Sequence, residues 1–229
     1  VNRSFIVVAG GSGTRMNASV PKQFLLLANK PVLMHTLQNL HVAAPDAPII
    51  LVLPADQREY WSALCSAHHF SILHQVVAGG ETRFHSVKNG LALATGDYVA
   101  VHDGVRPLVS KETIDRVFEA AYQHGAAVPA ISPNDSVRIL NGKASVAVER
   151  ANVALVQTPQ CFRLALIKKA FEQGYRKEFT DCASVLEADG VAVSTVNGNE
   201  ENIKITRPQD LILADWYIKN PCLRKHHED

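Results

Sequence analysis

Apolar and polar positions recur along this chain with two different periods, and the two periods take turns. Phe5-Ile6-Val7-Val8 is a short, β-branched apolar run, the pattern of a strand buried on both faces. From Pro31 to Ala44 the apolar positions Val32, Leu33, Leu37, Leu40 and Ala44 fall at helical spacing, with Pro31 suited to a first turn. Ile49 to Leu53 is again continuously apolar and ends at Pro54. The spacing then predicts a helix from about Ala55 to Ala67 and a strand from Ile72 to Val77. A helix from Thr82 to Ala94 and a strand from Tyr98 to His102 follow. Ser110 is a good N-cap for a helix with Ile114, Val117, Phe118 and Ala121 on its apolar face, and Ala126 to Ile131 reads as a strand. This β-α-β-α rhythm predicts an α/β fold, a doubly wound, mostly parallel sheet with helices on both faces.

The rhythm breaks between Ser132 and Val153. Asp135 to Leu140 and Ser145 to Glu149 read as two strands joined at Asn141-Gly142, a strong short-range hairpin signal. Val137, Ile139, Val146 and Val148 alternate along this inserted β-hairpin arm, giving it one apolar face that needs cover. A lone two-stranded hairpin is marginal in water, so the expectation is that residues 132–153 project and pack on a second subunit. Ala154 to Gln157 reads as a return to a buried strand, and Arg163 to Gly174 as a helix closed by its glycine. Thr180 is expected to open a short helix to Ala188, followed by a strand from Val191 to Val196. Thr206 as N-cap with Gln209 reaching back fits a capping box for a last helix to about Lys219, with a loose tail from Pro221. No repeat or low-complexity segment interrupts this single domain of 229 residues.

Composition removes several classes. A hydrophobic content of 47% supplies ample core, and a net charge of +1 argues against a general nucleic-acid or membrane-surface binder. There is no apolar run long enough for a bilayer and no basic-then-apolar leader pattern before Phe5. Cys65, Cys161, Cys182 and Cys222 are scattered without zinc-like spacing, and the ten histidines form no metal-binding pair, which fits reduced thiols in a cytoplasmic protein. Cations that matter must act locally.

The candidate chemistry sits where strands end, the place at which open parallel sheets bind ligands. Directly after the first strand comes Ala9-Gly10-Gly11-Ser12-Gly13-Thr14-Arg15-Met16, continued by Pro21-Lys22-Gln23-Phe24. Glycines there leave backbone N–H groups bare for an anion, and Arg15 and Lys22 add two cations, so the loop is suited to a polyphosphate. It lacks the Lys-Ser/Thr pair of a Walker A loop, and Met16 stands where a dinucleotide fingerprint needs its third glycine. Gly79-Gly80-Glu81-Thr82-Arg83 is a second backbone-exposing turn, with Ser86 one turn into the next helix and suited to a base edge. In His102-Asp103-Gly104-Val105-Arg106-Pro107 a carboxylate at a strand end is placed to hold Mg²⁺ on a nucleotide phosphate. Thr158-Pro159-Gln160 and Glu201-Asn202-Ile203-Lys204 complete the set.

Together G-G-x-G-T-R-M, P-K-Q-F, H-D-x-x-R-P, T-P-Q-x-F, T-D-x-A-S and E-N-I-K-I-T-R-P-x-D-L resemble the 2-C-methyl-D-erythritol 4-phosphate cytidylyltransferase family from about Val7 to Leu213. The resemblance implies a Rossmann-like cytidylyltransferase that uses CTP and Mg²⁺ and dimerises through the hairpin arm. It implies that Arg15 and Lys22 stabilise charge at the reacting phosphate. Arg150 and Lys204 would position methylerythritol phosphate, with Arg150 reaching into the partner's site. Ala9, Gly10, Gly11, Gly13, Gly80, Arg83, Ser86, Asp103, Gly104, Arg106 and Thr158 would hold the nucleotide, Asp103 through the metal. The chain departs from the family pattern at Val148-Glu149-Arg150, where an aspartate is common, and at Phe84-His85, where a polar pair is often found. Three other readings remain: a ribitol 5-phosphate cytidylyltransferase, a dehydrogenase, and a nucleotide-binding regulator without catalysis, which would be expected to lose Arg15, Lys22 or Asp103.

Overall fold

The strands are continuously apolar because both of their faces are covered. In the computed structural model, which describes residues 1–11 and 20–221, successive strand residues enter two different cores. The first elements are β1 (Arg3–Val8), β2 (Leu26–Leu27), β3 (Lys30–Pro31), α1 (Val32–Ala43), β4 (Ile49–Leu53) and α2 (Arg58–Ala67). Then come β5 (Gln75–Ala78), α3 (Arg83–Leu93), β6 (Tyr98–Asp103), α4 (Lys111–His124) and β7 (Ala126–Ile131). The hairpin is β8 (Val137–Asn141) and β9 (Ala144–Val148), after which the chain runs through β10 (Leu155–Val156), β11 (Gln160–Arg163) and α5 (Leu164–Ala170). The last elements are α6 (Cys182–Ala188), β12 (Ser194–Asn197) and α7 (Pro208–Lys219).

Phe5, Val7, Ile49, Leu51 and Leu53 pack with α1, α2 and α4 on one face. Ile6, Ile50 and Val52 pack with α3, α5 and α6 on the other. The period of two is therefore present, but both phases of it are apolar. The sheet runs β10-β7-β11-β6-β1-β4-β5, with β12 paired to β7. β1 is parallel to β4 and β6, and β4 to β5, which sets the ends of β1, β4, β5 and β6 side by side. A doubly wound, mostly parallel sheet is thus what forms.

Four features differ from the sequence expectation. The segment Gln160–Arg163 is a strand that no periodicity announced, and it wedges antiparallel between β6 and β7. β10 is not buried: Leu155 and Val156 are 48% and 41% exposed, because only β7 pairs with them at the sheet's rim. Asp181, not Thr180, caps α6, its carboxylate accepting from Ser184 N at 2.8 Å. At α7 the reach-back comes from Asp210, whose Oδ2 accepts from Thr206 N, Thr206 Oγ1 and Arg207 N, leaving Arg207 at the cap. A carboxylate outcompetes the neutral Gln209 for three donors at a helix start. A smaller shift is that β5 begins at Gln75, since the Ile72 carbonyl is taken by the His74 ring.

The hairpin forms in the expected register, with Val137 opposite Val148 and Ile139 opposite Val146. Asn141 pairs with Ala144, so the turn centres on Gly142 and Lys143, one residue later than the sequence indicates. Ile139 and Val146 are 63% and 66% exposed on the shared face. No helix among the described residues is long and apolar enough to cross a membrane.

Candidate active site

The first wall of the site is the turn after β1. Ala9 N donates to Val52 O, tying this turn to the end of β4, and the chain then passes through Gly10 and Gly11. Gly13 and Arg15, the other residues expected here, lie outside the described residues. Lys22 returns on a single 3-10 turn, Lys22–Phe24, and is buried. Its side chain lies across Gly11, where a Cβ would stand 3.1 Å from Lys22 Cε. A side chain there would press on the far end of the lysine.

The second wall follows β5. Gly79 N donates to Leu53 O, and the Ser86 hydroxyl accepts from Gly80 N at 3.1 Å. A side chain at Gly80 would collide with His85 Cβ, so this turn also requires glycine. The Ser86 hydroxyl lines the cleft, and its hydrogen bond shapes the loop. Thr82 caps α3, accepting from His85 N.

The floor is Asp103, at the end of β6. Lys204 Nζ is 2.9 Å from Asp103 Oδ2, Arg106 Nε 3.6 Å from the same oxygen, and Arg83 Nη2 3.6 Å from Oδ1. Burial would push this carboxyl up, but the charges of Arg83, Lys204 and Arg106 outweigh it and hold it well below the usual carboxylate range. Residues distant in sequence arrive by backbone pairing: Ile205 N donates to Val105 O, and Arg106 Nη1 to Asn202 O at 2.6 Å. Thr158 Oγ1 accepts from Asp103 N and faces His102 Nδ1, each at 3.0 Å. Asn202 Nδ2 donates to Thr158 O at 2.8 Å, closing the set.

His102 is fully buried, with Nε2 3.0 Å from Arg106 O, so Nε2–H donates and Nδ1 accepts from the Thr158 hydroxyl. Burial lowers its pKa to about 4, against an unperturbed 6.5. The unfolded chain therefore binds the proton first as pH falls, and the stabilisation from neutral His102 is complete above about 6.5 and lost towards 4. Stability to urea is expected to drop by about 2–3 kcal/mol between pH 7 and pH 4.5 from this residue. Asp103 acts in a lower window, since its stabilisation is lost only as pH falls below about 4. A His102 ring titrating near 6.5 in the folded protein, followed by NMR, would overturn the prediction.

These walls enclose a cleft of about 470 Å³. Of the expected residues, Ala9, Gly10, Gly11, Lys22, Gly80, Arg83, Ser86, Asp103 and Lys204 line it. Gly104, Arg106 and Thr158 stand behind and hold Asp103 or its strand end: Gly104 N, for example, donates to Val8 O. Arg150 is not brought to the cleft by its own chain. It sits exposed on a 3-10 turn after the hairpin, with Nη1 donating to Asn134 O at 2.9 Å. Sequence reasoning assigned no role to Gln23, whose amide spans to Ala9 O, or to His102. It also missed Pro54 and Ala55, which line the cleft after β4.

An anion-binding cleft at the ends of parallel strands is common to many nucleotide enzymes, and the comparisons narrow it. The model of the family described as 2-C-methyl-D-erythritol 4-phosphate cytidylyltransferase matches residues 4–220. The chain belongs to this family. The cytidylyltransferase of this name from Phocaeicola vulgatus is 50% identical over 95% of this chain and 100% of its own. That from Bacteroides fragilis is 52% identical over 93% of this chain and 97% of its own. The crystal structure of the Thermus thermophilus cytidylyltransferase is 33% identical, with a TM-score of 0.79 over 96% of this chain and 100% of that one. Membership makes the chain a nucleotidyltransferase and gives the cleft its substrates' class.

Proposed function

We propose that this chain transfers CMP from CTP to 2-C-methyl-D-erythritol 4-phosphate, releasing pyrophosphate, in isoprenoid precursor synthesis. The observation that carries this reading is the convergence of Lys22, Arg83 and Lys204 with two bare glycine turns in one cleft of a family member. An oxygen of the methylerythritol phosphate attacks the α-phosphorus of CTP, and the bond to the β-phosphate oxygen breaks. A phosphate monoester is ionised near neutral pH, so no strong general base is needed. The barrier lies in bringing two polyanions together and in charge spreading over the transferring group. Lys22 and Arg15 meet that charge, Lys204 holds the acceptor phosphate, and the glycines after β1 and the turn at Gly79–Gly80 hold the nucleotide.

Mg²⁺ fits the donor set. Mg²⁺ in nucleotide enzymes takes one or two carboxylates and completes its shell with substrate phosphates and water. Asp103 supplies one carboxylate in the cleft, and its Oδ1 makes only the long contact to Arg83 among the described residues. An ion held by Asp103 would supply positive charge to offset that of the substrate phosphates. Among the described residues no group of three His, Cys, Asp or Glu offers another place. Free Cys65, Cys161 and Cys182 are compatible with the cytoplasmic setting we infer. The decisive assay offers purified protein CTP and Mg²⁺ with methylerythritol phosphate and ribitol 5-phosphate in parallel. Pyrophosphate release with the first alone supports the reading; release with ribitol 5-phosphate alone, or with neither, overturns it.

We further infer a homodimer in which residues 132–153 form the arm of a single nucleotidyltransferase domain. The apolar face of Ile139 and Val146 is uncovered in one chain, and Arg150 lies at the arm's base, outside its own cleft. A twin hairpin under two-fold symmetry would cover both faces and carry each Arg150 to the other subunit. Mixing Arg150→Ala subunits with Lys22→Ala subunits is then expected to restore activity, because half of the mixed sites regain a full set. Demonstrated heterodimers without recovery would assign Arg150 to its own subunit or to no site.

A further inference from the structure

Lys22 stands on a turn of three residues that has no side-chain cap of its own among the described residues. What fixes it comes from elsewhere in the chain. Gln23 is fully buried beside it, and both protons of its amide are committed: Nε2 donates to Ala9 O at 2.9 Å and to Gln57 Oε1 at 2.7 Å. Gln23 Oε1 is buried with no hydrogen-bond partner among the described residues. An orphaned acceptor costs stability, and it is tolerated where the geometry that the other half of the amide enforces is worth more. Gln57 in turn ends the 3-10 turn Ala55–Gln57, its backbone N donating to Pro54 O, and Pro54 and Ala55 line the cleft. One amide chain thus joins the ends of β1 and β4 to the turn that carries Lys22. Phe24 clamps the far side of the turn against Tyr60 and Trp61, with ring centroids 5.2 and 6.1 Å away.

We propose that Gln57 is a positioning residue for Lys22, acting through the amide of Gln23 to hold the lysine over the bare backbone of Gly11. Gln57 is half-buried and outside the cleft lining, so it touches no substrate and its replacement leaves the core intact. Without its acceptor one Gln23 proton is orphaned and the amide is released to rotate, which loosens the Lys22 turn. The transferring phosphoryl group tolerates little misplacement of the charge that meets it.

Two measurements on the 229-residue chain decide the matter, and only the second rests on the function proposed above. The first is the rate at which a succinimidyl ester acylates Lys22, followed by peptide mass spectrometry without substrates. It is expected to rise at least about threefold in Gln57→Ala, because the turn opens more often, and to return towards the wild-type rate in Gln57→Glu, which keeps the acceptor. An unchanged rate in Gln57→Ala, or no return in Gln57→Glu, overturns the proposal. The second is turnover with CTP and methylerythritol phosphate, expected to fall about tenfold in Gln57→Ala with KM for CTP within about twofold. In a Lys22→Ala background the same change is expected to add nothing, since the residue it positions is gone. An equal loss in that background overturns the proposal. If the wild-type chain shows no transfer, the functional reading fails while the acylation rates still decide the role of Gln57.

Discussion

Lys22→Ala is expected to lower turnover at least about a hundredfold while the protein stays folded and KM for CTP changes far less. The ammonium lies over Gly11, at the mouth of the first glycine turn, where the α-phosphate of a nucleotide held by that turn would come. Negative charge on the transferring group grows towards the transition state, so a fixed cation there acts more on the barrier than on binding. Removing one preorganised donor of this kind costs about 3–4 kcal/mol. Folding is spared because Gln23 and Phe24, which hold the turn, are untouched. Steady-state rates with both substrates varied provide the check. Near-normal turnover with a raised KM would make Lys22 a passive phosphate contact.

CTP is expected to be preferred over ATP and GTP by about four orders of magnitude in kcat/KM. The loop Gly79–Thr82 and the Pro54–Ala55 turn face the cleft, and the loop's shape is fixed by the Ser86 hydrogen bond to Gly80 N. A base recognised by such fixed backbone groups must match them donor for acceptor. A purine presents a different edge and a larger ring to a cleft of about 470 Å³ that must also hold three phosphates and an acceptor. Backbone and hydroxyl partners left unpaired account for discrimination of this size. UTP, a pyrimidine of the same size that differs at C4 and N3, is the closer competitor. Competition assays with the four nucleotides measure the ratio, and comparable rates with ATP or GTP would sink the cytidylyl assignment.

The parts of this molecule visible in the sequence are those whose cause is local. β1, β4 and β6 announce themselves by the continuous apolar runs Phe5–Val8, Ile49–Leu53 and Tyr98–Val101, which burial on both sides favours. The two glycine turns are legible because bare backbone at a strand end has few other uses. β11 is silent because Gln160 and Arg163 flank only two apolar residues, and its place is set by the pairing of Cys161 and Phe162 with β6 and β7. The exposure of β10 is equally non-local, since it depends on there being one neighbouring strand rather than two. Gln57 and Gln23 are 34 residues apart, and His102 and Thr158 are 56 apart; a hydrogen bond across such a distance leaves no periodicity. Asp181 and Asp210 were readable in principle as acidic residues at helix starts, and the neighbouring threonines masked them. Arg150 shows the remaining limit, because its own chain gives it only the Asn134 carbonyl and leaves it outside the cleft.

The carboxylate on the floor of the cleft competes for the cations that gather there. With Arg83, Arg106 and Lys204 gathered around it, Asp103 is a counter-ion tethered to the strand end and permanently at high local concentration. An incoming anion competes with that resident for the same cations and gains only the difference between the two. A single phosphate or sulfate offers little more charge than the carboxylate it must rival. A nucleoside triphosphate, with several charges spread along a chain, exceeds it. The ion cluster is therefore expected to set a threshold that small anions do not pass.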